Sequence, residues 1–138
     1  MKNLVVQILL ATILSFISFA DLVIPENVAN TFRQKYPNAP EPTWEVDTNG
    51  SYEANYRIDG AKYRADFTKE GIWTETENNI DFNELPPDVR SEFLLKYSIE
   101  DFRDAEAVDS ATQGIFYESE IVSGTSKIDV MFDEKGQI

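Results

Sequence analysis

Ile24-Pro-Glu-Asn-Val28-Ala-Asn-Thr-Phe32-Arg-Gln-Lys35-Tyr36 returns later in the chain as Leu85-Pro-Pro-Asp-Val89-Arg-Ser-Glu-Phe93-Leu-Leu-Lys96-Tyr97. An apolar residue, Pro, an amide or acid, Val, Phe and Lys-Tyr keep their spacing in both copies. Val, Phe and Tyr spaced four apart form one stripe of a helix. Ala29 lies beside the first stripe, and Leu94 adds apolar area to the second. Pro25 suits a first helical turn, where its missing N–H costs nothing, and Glu26 complements the positive end. Pro37 ends the first helix. Both stripes are narrow, so each helix is expected to lie on a sheet. Each copy is followed by strand-like alternation closing on a Phe-x-x-x-Gly turn, Phe67 to Gly71 and Phe132 to Gly136. The chain therefore reads as α+β, with two tandem repeats, 24–80 and 85–138, inside one domain, 21–138. Each repeat is one helix followed by an antiparallel sheet, about four strands in the first and three to four in the second, with the helices on one face.

Residues 37–42 are a Pro-rich connector. Trp44 and Val46 alternate with polar neighbours up to the turn Asp47-Thr-Asn-Gly50. Tyr52, Ala54, Tyr56 and Ile58 then share a face, and Asp59-Gly60 is the preferred dipeptide for a two-residue type I′ hairpin. That turn sets Ile58 opposite Ala61, Tyr56 opposite Tyr63, Ala54 opposite Ala65 and Tyr52 opposite Phe67. A slip of one residue would expose the whole apolar set. For the next strand, a four-residue loop pairs Phe67 with Ile72, Arg64 with Glu75 and Lys62 with Glu77, giving two opposite-charge pairs. A three-residue loop with a glycine bulge is the rival; it sets Trp73 beside Phe67 but Glu75 opposite Ala65. Asn78 to Glu84 reads as a polar link between the halves. Phe102 to Val108 is a weak strand, and Ile115 to Val122 and Thr125 to Phe132 are stronger ones, joined at Ser123-Gly124. The last strand of the second repeat is rudimentary at Gly136-Gln-Ile138, which leaves a sheet edge exposed there. With about sixty residues in each half, a size at which a core is marginal, the halves are expected to share one core.

The first twenty residues read as a secretory signal: Lys2, an apolar run from Leu4 to Phe16, and small residues at Ser18 and Ala20. Export to the periplasm or medium follows, with no stable membrane anchor after cleavage. The formal charge is −13, and removing the leader takes away Lys2 and makes the balance more negative. Such a field repels phosphate, so a nucleic-acid partner is not expected. Without Cys there are no disulfides, thiol catalysis or thiolate zinc sites, and without His there is no histidine-assisted nucleophile or imidazole metal site. Carboxylate or Ser-Lys pairs are the catalytic options left, and a thin sheet with two helices offers little room for a substrate cleft. No catalytic residue, cofactor or metal site is expected. Asp47-Thr-Asn49-Gly50 begins like a calcium loop but lacks the sixth-position glycine and the distal Glu, and reads as a turn.

The most suggestive surface is the polar face of the first sheet. Arg57, Lys62 and Arg64 are three of the chain's 12 Lys and Arg, and the hairpin gathers them. In the four-residue-loop register Trp73 joins them beside Asp66. An aromatic next to Arg on an acidic protein is what a binding hot spot contains, while pairing of Arg64 and Lys62 with Glu75 and Glu77 would make the same cluster merely structural.

The Pro-x-x-Val-x-x-x-Phe-x-x-Lys-Tyr-Pro helix, Trp44-Glu45, Tyr-Glu-Ala at 52–54 and Phe67 to Gly71 with Trp73 resemble the PepSY-like family of small exported bacterial proteins, described as similar to beta-lactamase inhibitor proteins. Leu85-Pro86, Phe93, Tyr97 and Phe132 to Gly136 are the second copy. The resemblance implies tandem helix-and-sheet repeats whose sheets share a face away from the helices, and a protein partner bound on that face. The disulfides that brace the inhibitors have no counterpart in a chain without Cys, and the motifs carry no active-site signature. The expectation is a non-catalytic exported binding module, acting as an inhibitor or modulator of an envelope or secreted enzyme through Arg57, Lys62, Arg64 and Trp73. The alternative is a cation or small-ligand binder using the acidic link (Glu75, Glu77, Asp81, Glu84) and the sheet edge.

Overall fold

The computed structural model describes residues 22–137, so the leader read at residues 1–20 lies outside the described residues. Helices α1 (Glu26–Lys35) and α2 (Pro87–Lys96) start at the repeated phrase. In each, the Pro before the first turn supplies a carbonyl to the helix: Pro25 O accepts the Ala29 N–H at 3.1 Å and Pro86 O accepts the Arg90 N–H at 3.0 Å. Val28 and Phe32, and Val89 and Phe93, are buried. Leu94 contributes nothing to the core, being 52% exposed, because it follows Phe93 by one position and so lies about 100° round the helix. Leu85, ahead of α2, is the leucine that is buried.

Seven strands follow: β1 (Thr43–Val46), β2 (Tyr52–Ile58), β3 (Ala61–Phe67), β4 (Trp73–Ile80), β5 (Phe102–Ser110), β6 (Gly114–Ser123) and β7 (Ser126–Asp133). They form a single antiparallel sheet in chain order, β1 to β7. The β2–β3 register is the one the Asp59-Gly60 turn demands, from Ile58 opposite Ala61 to Tyr52 opposite Phe67. Asp59 and Gly60 take φ of +50° and +88°, as a type I′ turn requires.

The β3–β4 register differs from both expected forms. Trp73 stands opposite Phe67 and Glu75 opposite Asp66, so Thr74 is an extra residue, a β-bulge. Arg64 consequently faces Glu77, not Glu75, and the bulge gives Trp73 an apolar partner while keeping Glu75 and Glu77 on the polar side. The expected polar link is also shorter than supposed. Asn78 to Ile80 continue β4, and only Phe82–Glu84 make a single 3₁₀ turn. β4 pairs with β3 on one side and β5 on the other, so it is the strand that makes one sheet of two repeats. The β6–β7 turn is Gly124-Thr125, with Ser123 opposite Ser126.

The helices cover one face. Their buried residues form two clusters instead of one shared core. The first gathers Val28, Phe32, Ala54, Tyr56, Ala65 and Phe67. The second gathers Leu85, Val89, Phe93, Ala105, Ile121, Val130 and Phe132. Between them the helix side of β4 and β5 carries Thr76 opposite Asp109 and Asn78 opposite Ala107, groups that have to keep water or hydrogen-bonding partners. The Phe-x-x-x-Gly turns hold each helix down. Gly71 and Gly136 have φ of +83° and +77°, and a Cβ on Gly136 would stand 2.7 Å from the Asp88 carbonyl oxygen. A Cβ on Gly71 would stand 2.9 Å from the side-chain nitrogen of Asn27, the residue that corresponds to Asp88 in the first repeat.

Candidate functional site on the open sheet face

Alternation along the strands sends every second side chain away from the helices, and the registers arrange these side chains in rows. One row runs Glu45, Glu53, Asp66, Glu75 across β1 to β4. The next runs Asn55, Arg64, Glu77, Val108, Phe116 across β2 to β6. Further along lie Arg57 opposite Lys62 at the hairpin end, and Glu106 opposite Glu118 opposite Met131. Like charges directly opposite one another are unfavourable, and Arg64 is the counterweight. Its guanidinium donates to both Asp66 oxygens at 3.1 and 3.2 Å and to Glu77 at 2.8 Å, with Glu75 at 3.9 Å. Burial pushes the Glu77 carboxyl up to about 7 against the pull of Arg64, and repulsion from Glu106, Glu75 and Asp66 adds to the rise. Glu106 and Glu118 are raised in the same way, first by burial.

The structure thus divides the four expected site residues. Arg57 and Lys62 are exposed neighbours at the β2–β3 hairpin. Arg57 donates to the Gly60 carbonyl at 2.8 Å, and neither takes part in an ion pair among the described residues. Arg64 shares their face but is occupied by the chain's own carboxylates. Trp73 is on the opposite side of the sheet. Its indole N–H donates to Thr76 Oγ1 at 2.9 Å, and the Lys35 ammonium sits 3.5 Å from the centre of its ring. The bulge at Thr74 is the reason: the extra residue reverses the side on which Trp73 falls.

Sequence reading missed Glu106, Glu118 and Asp104, Glu120, Asp129 as members of this face. Their strand parity was legible, but their alignment with Arg64 depends on the β4–β5 pairing, which no local turn sets. Asp104, Glu106, Glu118, Glu120 and Asp129 line a cavity of about 100 Å³. Among the described residues no group of three or more such side chains is placed to hold a metal ion. The acidic link does not converge either, since Glu84 accepts the Asp81 N–H at 2.6 Å as a helix-capping pair. Asp47 to Gly50 is a hairpin turn, in which the Asp47 N–H donates to the Ser51 carbonyl at 2.9 Å.

A seven-strand meander of two helix-led repeats, with one bare face, invites comparison with proteins of known fold. The family model described as "Putative beta-lactamase-inhibitor-like, PepSY-like" matches residues 15–59 and 50–138. The chain belongs to the PepSY-like family. The two matched segments overlap at residues 50–59 and together span both repeats. No curated protein sequence matches the chain. Among solved structures, a DUF2874 family protein from Bacteroides ovatus is similar at a TM-score of 0.76 and 22% identity, covering 83% of this chain and 84% of that one. A BLIP-like protein from Bacteroides fragilis is similar at 0.74 and 24% identity over 85% and 84%. A protein of Bacteroides eggerthii, described as among "putative periplasmic proteins", is similar at 0.74 and 20% identity over 84% and 86%. At these identities the likeness shows the PepSY-like fold. No helix of the described residues is long and apolar enough to cross a membrane.

Proposed function

We propose that this PepSY-like chain is an exported, non-catalytic module that binds a protein through its open sheet face, as an inhibitor or modulator of a secreted or envelope enzyme. The observation that carries the reading is the bare face itself. Both helices lie on the other side, and the bare side presents Arg57 and Lys62, exposed and without ion-pair partners among the described residues. The inhibitor-like description of the family and the BLIP-like relative support a protein as the ligand. Arg64 serves this surface from within, holding Asp66 and Glu77 in fixed orientations, and Trp73 belongs to the helix side.

The test is capture from envelope extract by the tagged mature chain, with the partner identified by cross-linking and mass spectrometry and then titrated in purified form. Arg57→Glu/Lys62→Glu is expected to lose the partner, and Trp73→Ala, a helix-side control, to keep it. Equal affinity of the double variant and wild type for the purified partner would remove the open face as the site.

A further inference from the structure

The outer edge of β7 points to a second interaction. Among the described residues β7 pairs only with β6. The orientation of its free main-chain groups follows from two observations. Gly124-Thr125 is a two-residue turn, so the closing residues Ser123 and Ser126 bond each other. At the far end the Asp133 N–H donates to the Gln137 carbonyl at 2.8 Å, away from β6. Alternation then turns the N–H and C=O groups of residues 127, 129 and 131 outward. Of these, Lys127 and Asp129 carry opposite charges two positions apart. The same residues point their side chains to the open face.

Asp129 stands directly opposite Glu120, and both line the acidic cavity with Asp104, Glu106 and Glu118. Lys127, whose ammonium lies 2.5 Å from Glu120, is the only Lys or Arg on this strand. A further cation brought to Asp129 would relieve this excess. Such a strand can supply that cation to its own copy. In antiparallel self-pairing, outward-bonding residues must meet outward-bonding residues, so only registers centred on a single residue are allowed. Centring on Asp129 sets Asp129 against Asp129. Centring on Val130 requires the Gln137 carbonyl to leave the Asp133 N–H. Centring on Ile128 keeps that bond, sets Lys127 opposite Asp129 of the second copy twice over, and buries Ile128, now 46% exposed, against its equivalent.

We infer that β7 pairs with β7 of a second copy of this chain, centred on Ile128, to give one continuous sheet with both open faces on the same side. The contact is a strand edge of small area, so the dimer forms and dissociates with concentration. It is independent of the partner proposed above, and its failure would leave that reading intact.

Sedimentation over a concentration series is expected to show a monomer–dimer equilibrium. Lys127→Glu should weaken it roughly tenfold or more, since two attractive pairs become repulsive. Lys127→Glu/Asp129→Lys should restore it, because the exchanged charges again oppose each other. The chain has no Cys, so single cysteines report the register. Ile128→Cys should form a disulfide dimer on mild oxidation, because facing side chains lie closer in a non-hydrogen-bonded pair and come near the Cβ separation of about 3.5–4.5 Å that a disulfide spans. Val130→Cys should not. A wild type that stays monomeric throughout, a Lys127→Glu variant that associates like wild type, or cross-linking that favours Val130→Cys would each overturn the proposal. Melting of each variant at low concentration, where the chain is monomeric, separates lost pairing from lost folding.

Discussion

Gly136 and Gly71 show how much of the fold hangs on single residues. Each ends a Phe-x-x-x-Gly turn in the left-handed region and lets a helix approach within the space a Cβ would fill. Alanine at either position is expected to cost about 1–3 kcal/mol from backbone strain. Gly136→Ala should be the worse, because the obstacle there is the Asp88 main chain, whereas at Gly71 the nearest atom ends a side chain. Chemical denaturation of the two variants checks the order. Ser119 is the reverse case. It is fully buried between strands, and its hydroxyl has no hydrogen-bond partner among the described residues. Ser119→Ala should therefore stabilise the chain by about 1 kcal/mol, read as a higher denaturant midpoint. The glycines were legible because the turn repeats in the sequence. The orphaned hydroxyl was not, since nothing local says that Ser119 packs between Ala105 and Val130.

The element with the largest consequence is β4. It joins both repeats into one sheet, and its bulge decides which face Trp73 occupies. The hairpin β2–β3 could be placed residue by residue because a two-residue turn sets its register. The β3–β4 connection could not, because its turn tolerates a bulge and the choice depends on packing: Trp73 finds Phe67 and Thr76 on the helix side. Since the repeats own separate clusters, β4–β5 pairing is what couples them. Phe93, packed against Phe82, Tyr97, Phe102 and Phe132, tests the coupling. Phe93→Ala should cost about 3–5 kcal/mol. Both Trp residues lie in the first repeat, so Trp fluorescence reports only that half. Its midpoint should fall together with the far-UV signal. A first repeat that melts at its wild-type midpoint would show that the halves unfold separately.

At the scale of the whole molecule, the chain carries a charge of −13, and the carboxylates that its strands align on the open face repel one another. Glu77, raised to about 7 by burial and by Glu106, Glu75 and Asp66 despite Arg64, binds its proton more tightly folded than unfolded. Between its ordinary value and about 7 the folded chain holds more protons, so stability present at low pH is lost as pH rises through that window. The melting temperature should fall between about pH 5 and pH 8, and Glu77→Gln should flatten the slope. A melting temperature that rises over this range would contradict the placement of Glu77 among carboxylates. The repeated phrase, the strand alternation and the Asp59-Gly60 turn were enough to determine two helix-and-sheet repeats and a face left bare. They could do so because helix stripes, strand parity and tight turns are properties of neighbouring residues. Which charges meet on that face was decided only by the tertiary structure. Arg64 is neutralised from within, Trp73 is turned away, and the acidic rows are aligned, because strand pairing across β4 joins residues that no local rule relates.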